Sequence, residues 1–233
     1  MDPKWRSQVQ EKLLSLYLRL NGFFVTGFII HSPIHGRNVT EIDVLAVRFP
    51  YNNEPERQVG ADPLLETSDQ LIDLVICEVK SKGKQLRFNH ALVVSPDAIG
   101  RLLRWAGMFQ EDEVAMLASK VQSALLPANL PRSVIPNVIG PRQTRIRGLL
   151  CSPERKERRK NQAWFLSGSD IFDYISRCLC PPMPRDTSAT TYDYELWGTY
   201  EVIVRYFKEK GANESGDVQE LYAYLMRQDN DNF

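Results

Sequence analysis

Apolar side chains return every three or four residues over 5–20, at Val9, Leu13, Leu16 and Leu20, and this spacing predicts an amphipathic helix stopped by Asn21-Gly22. The pattern then changes. FFVTGFII is a β-rich apolar run closed by the turn-forming HSPIHGRN, and VTEIDVLAVRF alternates, placing Glu41, Asp43, Leu45 and Val47 on one face of an adjacent strand, a candidate hairpin. Residues 50–69 show little periodicity and outrun the roughly 12–15 residues usual for a structureless connection, which marks a functional flap or a mobile insertion. LIDLVICEVK is near-continuously apolar until it ends in charge, the pattern of a central strand covered on both faces.

Downstream, residues 95–126 read as one or two helices, with Ser95 as N-cap, Pro96 at the first helical position and Asp97 in the first turn, broken by Pro127, Pro131 and Pro136. TRIRGLLCS and AWFLSG are strand candidates, and SDIFDYISRCL is a helix capped by Ser169 or Asp170. Residues 181–191 are a linker by composition, and 192–233 hold two more helices and a polar tail. The order is helix, three strands, helix, two strands, helix: an α/β domain over 1–180 with a C-terminal helical extension over 192–233.

Composition narrows the picture further. With 233 residues, 43% hydrophobic and 10% aromatic, the chain supports a packed core, and a wholly disordered or collagen-like chain is excluded. Its 29 Lys and Arg balance 29 Asp and Glu, so a polyanion must be held by a local patch. MDPKWRSQVQEKLL lacks a signal-peptide pattern and no stretch reaches the ~18 apolar residues of a membrane span, from which a cytoplasmic protein with no membrane partner is expected. Cys77, Cys151, Cys178 and Cys180 match no paired CxxC spacing and read as buried small hydrophobes.

Chemistry concentrates at the end of the central strand. Glu78 and Lys80 share a face about 7 Å apart by strand geometry, and burying either alone is costly, so they meet an ion or solvent. Asp43 comes from the preceding strand and Glu11 from the first helix. Three acids and a lysine at one sheet edge suit metal-dependent phosphodiester hydrolysis, because Mg²⁺ prefers hard oxygens and takes only one or two carboxylates, while Lys80 adds orientation and charge. The residues alone leave a second reading open, in which Glu78 and Lys80 are a solvated strand end and Asp43 a turn residue.

Other candidates surround this edge. His31 and His35 have a zinc-like spacing, but Pro33 and Gly36 make the segment a loop, where Arg37 is the better substrate contact. Lys82 and Lys84, beside Lys80, are expected to hold a phosphate backbone. Arg101 and Arg104 share a helix face and are equally phosphate contacts or solvated cations. The run 154–160, with Arg158, Arg159 and Lys160, suits sequence-independent phosphate binding or a solubilising loop. Trp105, Trp164, Trp197 and the Tyr-rich C-terminal helices read as core or interface aromatics. Neither GxxxxGK[ST] nor GxGxxG occurs, so no nucleotide cofactor is expected, and no Ser-His-Asp arrangement is credible.

Glu11 on a first helix, then GFFV, TEIDVLAV with Asp43, and LVICEVKSKGK with Glu78 and Lys80 together resemble the PD-(D/E)XK nuclease superfamily, the restriction-endonuclease-like fold. The arrangement is most similar to the branch of archaeal Holliday-junction resolvases and Mrr-type restriction enzymes, and covers roughly residues 5–180 through four motif positions. The resemblance implies an αβββαβ core with a central mixed sheet flanked by helices. It implies DNA cleavage with Mg²⁺, or Mn²⁺ in its place. Asp43 and Glu78 would ligate the metal with the Val79 carbonyl, Lys80 would orient or activate water, and Glu11 would support a second ion or the water network. Ile42 stands where proline is usual, the 50–69 insertion stretches the gap from Asp43 to Glu78, and no clear helical glutamine follows Lys80, Gln85 and Gln110 being weak candidates. The implied setting is foreign-DNA defence or DNA repair, as a homodimer or with a partner protein. A non-catalytic scaffold or DNA-binding subunit is the alternative, and RNA as substrate shares the same metal chemistry.

Overall fold

The computed structural model describes residues 2–31, 38–53, 57–95, 97–129, 135–158, 164–181, 183, 194–212 and 214–231. Helix α1 (Pro3–Leu20) is capped by the Asp2 carboxylate, which accepts from the Lys4 N–H, with Pro3 at its first position. It ends at Asn21, as the spacing predicts, and Gly22 at φ +81° turns the chain into the sheet.

Strands β1 (Phe24–His31), β2 (Asn38–Arg48) and β3 (Ile72–Val79) follow as an antiparallel run. Helices α2 (His90–Val94), α3 (Ala98–Ala106) and α4 (Glu111–Leu125) then cross over to β4 (Asn137–Ile139) and β5 (Thr144–Ser152), and β5 pairs parallel to β3. The short β6 (Leu166–Ser167) adds parallel to the end of β5 and leads into α5 (Gly168–Leu179). A 3₁₀ stretch (Tyr194–Tyr200), kinked at Gly198, precedes α6 (Glu201–Lys210) and α7 (Val218–Asp231). The chain is therefore α/β: a central mixed sheet of six strands, in the order β1-β2-β3-β5-β4 with β6 also on β5, flanked by helices.

Each sheet face has its own core. Val44, Ala46, Val75, Cys77, Val79, Leu149 and Cys151 pack with α1, α5, α6 and α7, while Ile42, Leu45, Leu74, Ile76, Ile146 and Leu150 pack with α2, α3 and α4. Strand β3 is thus buried on both faces, as its apolar run predicts. Gly148 permits the close approach of the second layer, because a Cβ there would collide with Phe88 and Leu125.

Several local expectations are revised. Ser95 ends α2 instead of starting a helix, and Asn89 caps α2. Asp97 takes the N-cap position of α3 but spends its carboxylate on Arg101 and Arg104, and Pro96 lies outside the described residues. The cap of α5 is Ser167, two residues earlier than expected, in a reciprocal capping box with Asp170. The alternation placing Glu41, Asp43, Leu45 and Val47 on one face is broken: Thr26 pairs with Leu45 and Phe28 with Ile42, so Asp43 and Val44 together oppose Gly27 in a β-bulge. Ile42 and Leu45 consequently face the same core.

Of the 50–69 segment, residues 60–65 are docked on the helices. Leu65 is fully buried, the Tyr17 hydroxyl donates to Asp62, the Asn21 side-chain oxygen accepts from the Asp62 N–H, and the Tyr174 hydroxyl donates to the Gly60 carbonyl. The C-terminal helices share the α1/α5 core through Ile203, Val204, Phe207, Leu221 and Tyr222, so their tyrosines are core aromatics. The proposed linker lies almost wholly outside the described residues. Cys77 and Cys151 are buried, Cys178 and Cys180 half-buried, and all four are free thiols.

Candidate active site

The ladder between β2 and β3 runs from Arg48↔Asp73 to Val44↔Cys77 and stops there. Beyond that pair the strands part, and the bulge at Asp43 aims its carboxylate into the gap, where Oδ2 accepts the Val79 N–H at 2.7 Å. Glu78 is buried at the same point. Its Oε1 accepts from Lys80 Nζ at 2.9 Å and its Oε2 from the Asn89 N–H, at the cap of α2, at 3.0 Å. Period two does place Glu78 and Lys80 on one face, and they form an ion pair.

Glu11 reaches this edge from α1, its Oε1 held by the Ser7 hydroxyl at 3.0 Å. Burial raises its pKa, with smaller contributions from the charges of Glu41 and Glu78. Asp43 is affected more strongly: burial first, then the Glu78 charge, push its carboxyl up to about 7, against the lowering effect of the Val79 N–H. Glu41, noted in the sequence only as a face-mate of Asp43, is the fourth acid within electrostatic reach. Glu11, Asp43 and Glu78 thus act on one another electrostatically, with Lys80 the ammonium paired to Glu78.

The three expected acids converge electrostatically but not as one coordination sphere. Among the described residues no group of three or more His, Cys, Asp or Glu is placed to hold a metal together. What the site offers is two carboxylates, Asp43 and Glu78, beside the Val79 main chain. That is an oxygen-only donor set of the size Mg²⁺ or Mn²⁺ takes from a protein while keeping its waters. The Asp43 carboxyl, pushed up to about 7 by burial and then by the Glu78 charge, is one a nearby cation would favour in its ionised form.

The other expected contacts divide clearly. Lys82 and Lys84 are exposed on the turn after β3. Arg158 is engaged internally, donating to both oxygens of Asp170 and lying over the Trp164 ring. Arg101 and Arg104 are tied to Asp97, Glu111 and the His31 carbonyl. Gln110 is the N-cap of α4. Arg37, His35, Arg159 and Lys160 lie outside the described residues.

Sequence reasoning missed Ser7, Asn89, Ser152 and Glu154. Asn89 left a local signal as a cap-forming residue before HALVV, and Ser7 sits one helical turn before Glu11. Ser152 acts on a partner 72 positions away, and Glu154 on partners as far as 148. No family model, curated protein or solved structure matches this chain. Among the described residues no helix is long and apolar enough to cross a membrane.

Proposed function

We propose that this chain is a metal-dependent deoxyribonuclease of the restriction-endonuclease-like, PD-(D/E)XK kind, cutting DNA phosphodiester bonds with Mg²⁺ or Mn²⁺. The observation that carries this reading is the meeting of Asp43, Glu78 and Lys80 where β2 and β3 part, with the Asp43 carboxyl pushed up to about 7 by burial beside Glu78. The order of one helix, three antiparallel strands, a helical crossover and a strand parallel to β3 supports it. Endonuclease action in foreign-DNA defence or repair follows from the motif resemblance.

In this reading Asp43, Glu78 and the Val79 carbonyl hold the metal, whose chemistry is to neutralise charge developing on the phosphate and to lower the pKa of a bound water. The chain's own residues do the rest. Glu78 holds the Lys80 ammonium beside the site, where it can donate to a phosphate oxygen or orient the attacking water. Asn89 fixes the second oxygen of Glu78 through its N–H. Glu11, kept by Ser7, adds negative field that favours a cation. Lys82 and Lys84 meet the backbone of the substrate.

One observation favours the scaffold alternative: both oxygens of Glu78 are already engaged, by Lys80 and Asn89. A single experiment separates the two readings. Plasmid, linear and single-stranded DNA, and RNA, are incubated with the protein in Mg²⁺, Mn²⁺ or EDTA, with Lys80→Ala in parallel. The nuclease reading expects cleavage that EDTA abolishes and Lys80→Ala reduces by about 10²–10³-fold, the usual cost of losing a charge-stabilising donor. No cleavage by the wild-type chain with either metal would leave the scaffold reading.

A further inference from the structure

Strand β5 runs parallel to β3, and the two end together with Val79 beside Cys151. The chain leaving β3 then turns through Ser81–Lys84, with Gly83 at φ +92°, against the residues that leave β5. Four bonds join the two segments, all to the main chain of the first. The Lys80 N–H donates to the Cys151 carbonyl at 2.8 Å, and the Lys80 carbonyl accepts from Ser152 Oγ at 2.6 Å. The Lys82 N–H donates to Glu154 Oε2 at 2.7 Å, and the Lys84 carbonyl accepts from Arg155 Nη2 at 2.6 Å. Because only the main chain is used, the side chains of Lys82 and Lys84 stay exposed.

Glu154 is the unusual member. It is a buried carboxylate whose other oxygen accepts from Arg6 Nε of α1 at 3.0 Å and from the Tyr222 hydroxyl of α7 at 3.2 Å. The Arg6 guanidinium also lies over the Tyr222 ring, which packs on Trp5. Burial alone would raise the Glu154 pKa, yet the Lys82 N–H and Arg6 bring it below the ordinary carboxylate value. The Arg6 side of this pair is more than a third exposed, and an ion pair open to solvent adds little stability of its own. What this one achieves is connection: it ties the segment that carries Lys80 to the first and last helices.

We propose that Ser152 and Glu154 are positioning residues that hold the Lys80 main chain in register with Asp43 and Glu78, and that Glu154 makes this register depend on α7 through Tyr222. The inference rests on the nuclease reading. A lysine reaches its target through four rotatable bonds, so its precision is set by how firmly its backbone is held, and a displacement of about 1 Å costs on the order of 10²-fold in rate.

The test uses the full-length chain as wild type, Glu154→Ala, Glu154→Gln, Ser152→Ala and Tyr222→Phe. Two quantities are read: hydrogen exchange across Lys80–Lys84, and the kcat and KM of metal-dependent plasmid cleavage. Glu154→Ala should speed exchange at Lys82 at least tenfold and lower kcat about 10–100-fold, with KM changed less than about threefold. Glu154→Gln keeps an acceptor for the Lys82 N–H and should restore most of both. Ser152→Ala and Tyr222→Phe should each lower kcat by about 3–10-fold, and they carry the test if Glu154→Ala does not unfold cooperatively. Unchanged exchange at Lys82 in Glu154→Ala overturns the proposal, and so does an unchanged kcat in Ser152→Ala. A wild-type chain that cuts nothing defeats the nuclease reading itself, whereas a cutting wild type matched by its variants defeats only the positioning role.

Discussion

The central strand carries a buried charged cluster at each end, and the two are built on opposite principles. At the start of β3, Asp73 is saturated: its oxygens accept from Arg147 Nε at 2.9 Å and Nη2 at 2.5 Å, and from Arg145 Nη2 at 2.8 Å. The arginines left over are satisfied as well, Arg147 by the Leu65 carbonyl and Arg145 by the Glu66 carbonyl. That end pins Leu65 and Glu66 to the sheet. At the finish of β3, Asp43, Glu78 and Glu11 outnumber Lys80, and Asp43 holds its proton to about neutral pH. Charge that the protein itself neutralises makes a joint. Charge left in excess is what the proposed metal-dependent activity would use.

This contrast is broken most forcefully at the joint. Asp73→Ala leaves the buried Arg147 guanidinium, and the half-buried Arg145 beside it, without their carboxylate and should destabilise the fold by about 3–5 kcal/mol, measured by denaturant unfolding. Whatever protein remains folded should bind Mg²⁺ as the wild type does. A small loss, under about 1 kcal/mol, would show that the cluster is not the clamp described.

The opposite sign is expected at the site. Because the Asp43 pKa is raised on folding, its contribution to stability is intact below the unfolded value near 4 and is lost as pH rises through about 7. Asp43→Asn, which can still accept the Val79 N–H, should therefore stabilise the chain by about 2 kcal/mol at pH 8 and by almost nothing at pH 4, while abolishing cleavage. Mg²⁺ should raise the wild-type Tm at pH 8 and leave the variant unmoved. Equal stability of the two proteins at both pH values would remove the electrostatic argument.

A smaller effect sharpens the comparison from outside both clusters. The Gln10 amide on α1 is fully buried, and among the described residues neither its nitrogen nor its oxygen has a hydrogen-bond partner. Gln10→Leu should raise stability by about 1 kcal/mol, read as a higher midpoint in urea, without altering cleavage. A loss of activity would instead place this amide within the functional network.

Periodicity located α1 and its stop at Asn21-Gly22, the buried strand β3, the β1–β2 hairpin and the shared face of Glu78 and Lys80, because each is set by spacing within a few residues. It misplaced the cap of α3 by confusing the end of a five-residue helix with the start of the next. It misread the face of Asp43 because a bulge adds one residue opposite Gly27, and no signal in TEIDVLAV announces where a partner strand slips. It read residues 50–69 as flap or insertion because their anchors, Tyr17, Tyr174 and Arg147, lie 45 to 114 positions from their partners in the chain.

Residue types and short-range spacing were enough to assign an α/β chain and to single out Asp43, Glu78 and Lys80, since burial of charge beside an apolar run is improbable without a use for it. The parallel pairing of β3 with β5 did what no spacing could. It set Ser152 and Glu154 against Lys80 and Lys82, and turned a glutamate from a basic-looking run into a buried carboxylate. The reason is physical: helix and strand patterns come from the geometry of neighbouring residues, whereas the protonation and partners of a buried group depend on which distant segments exclude water around it.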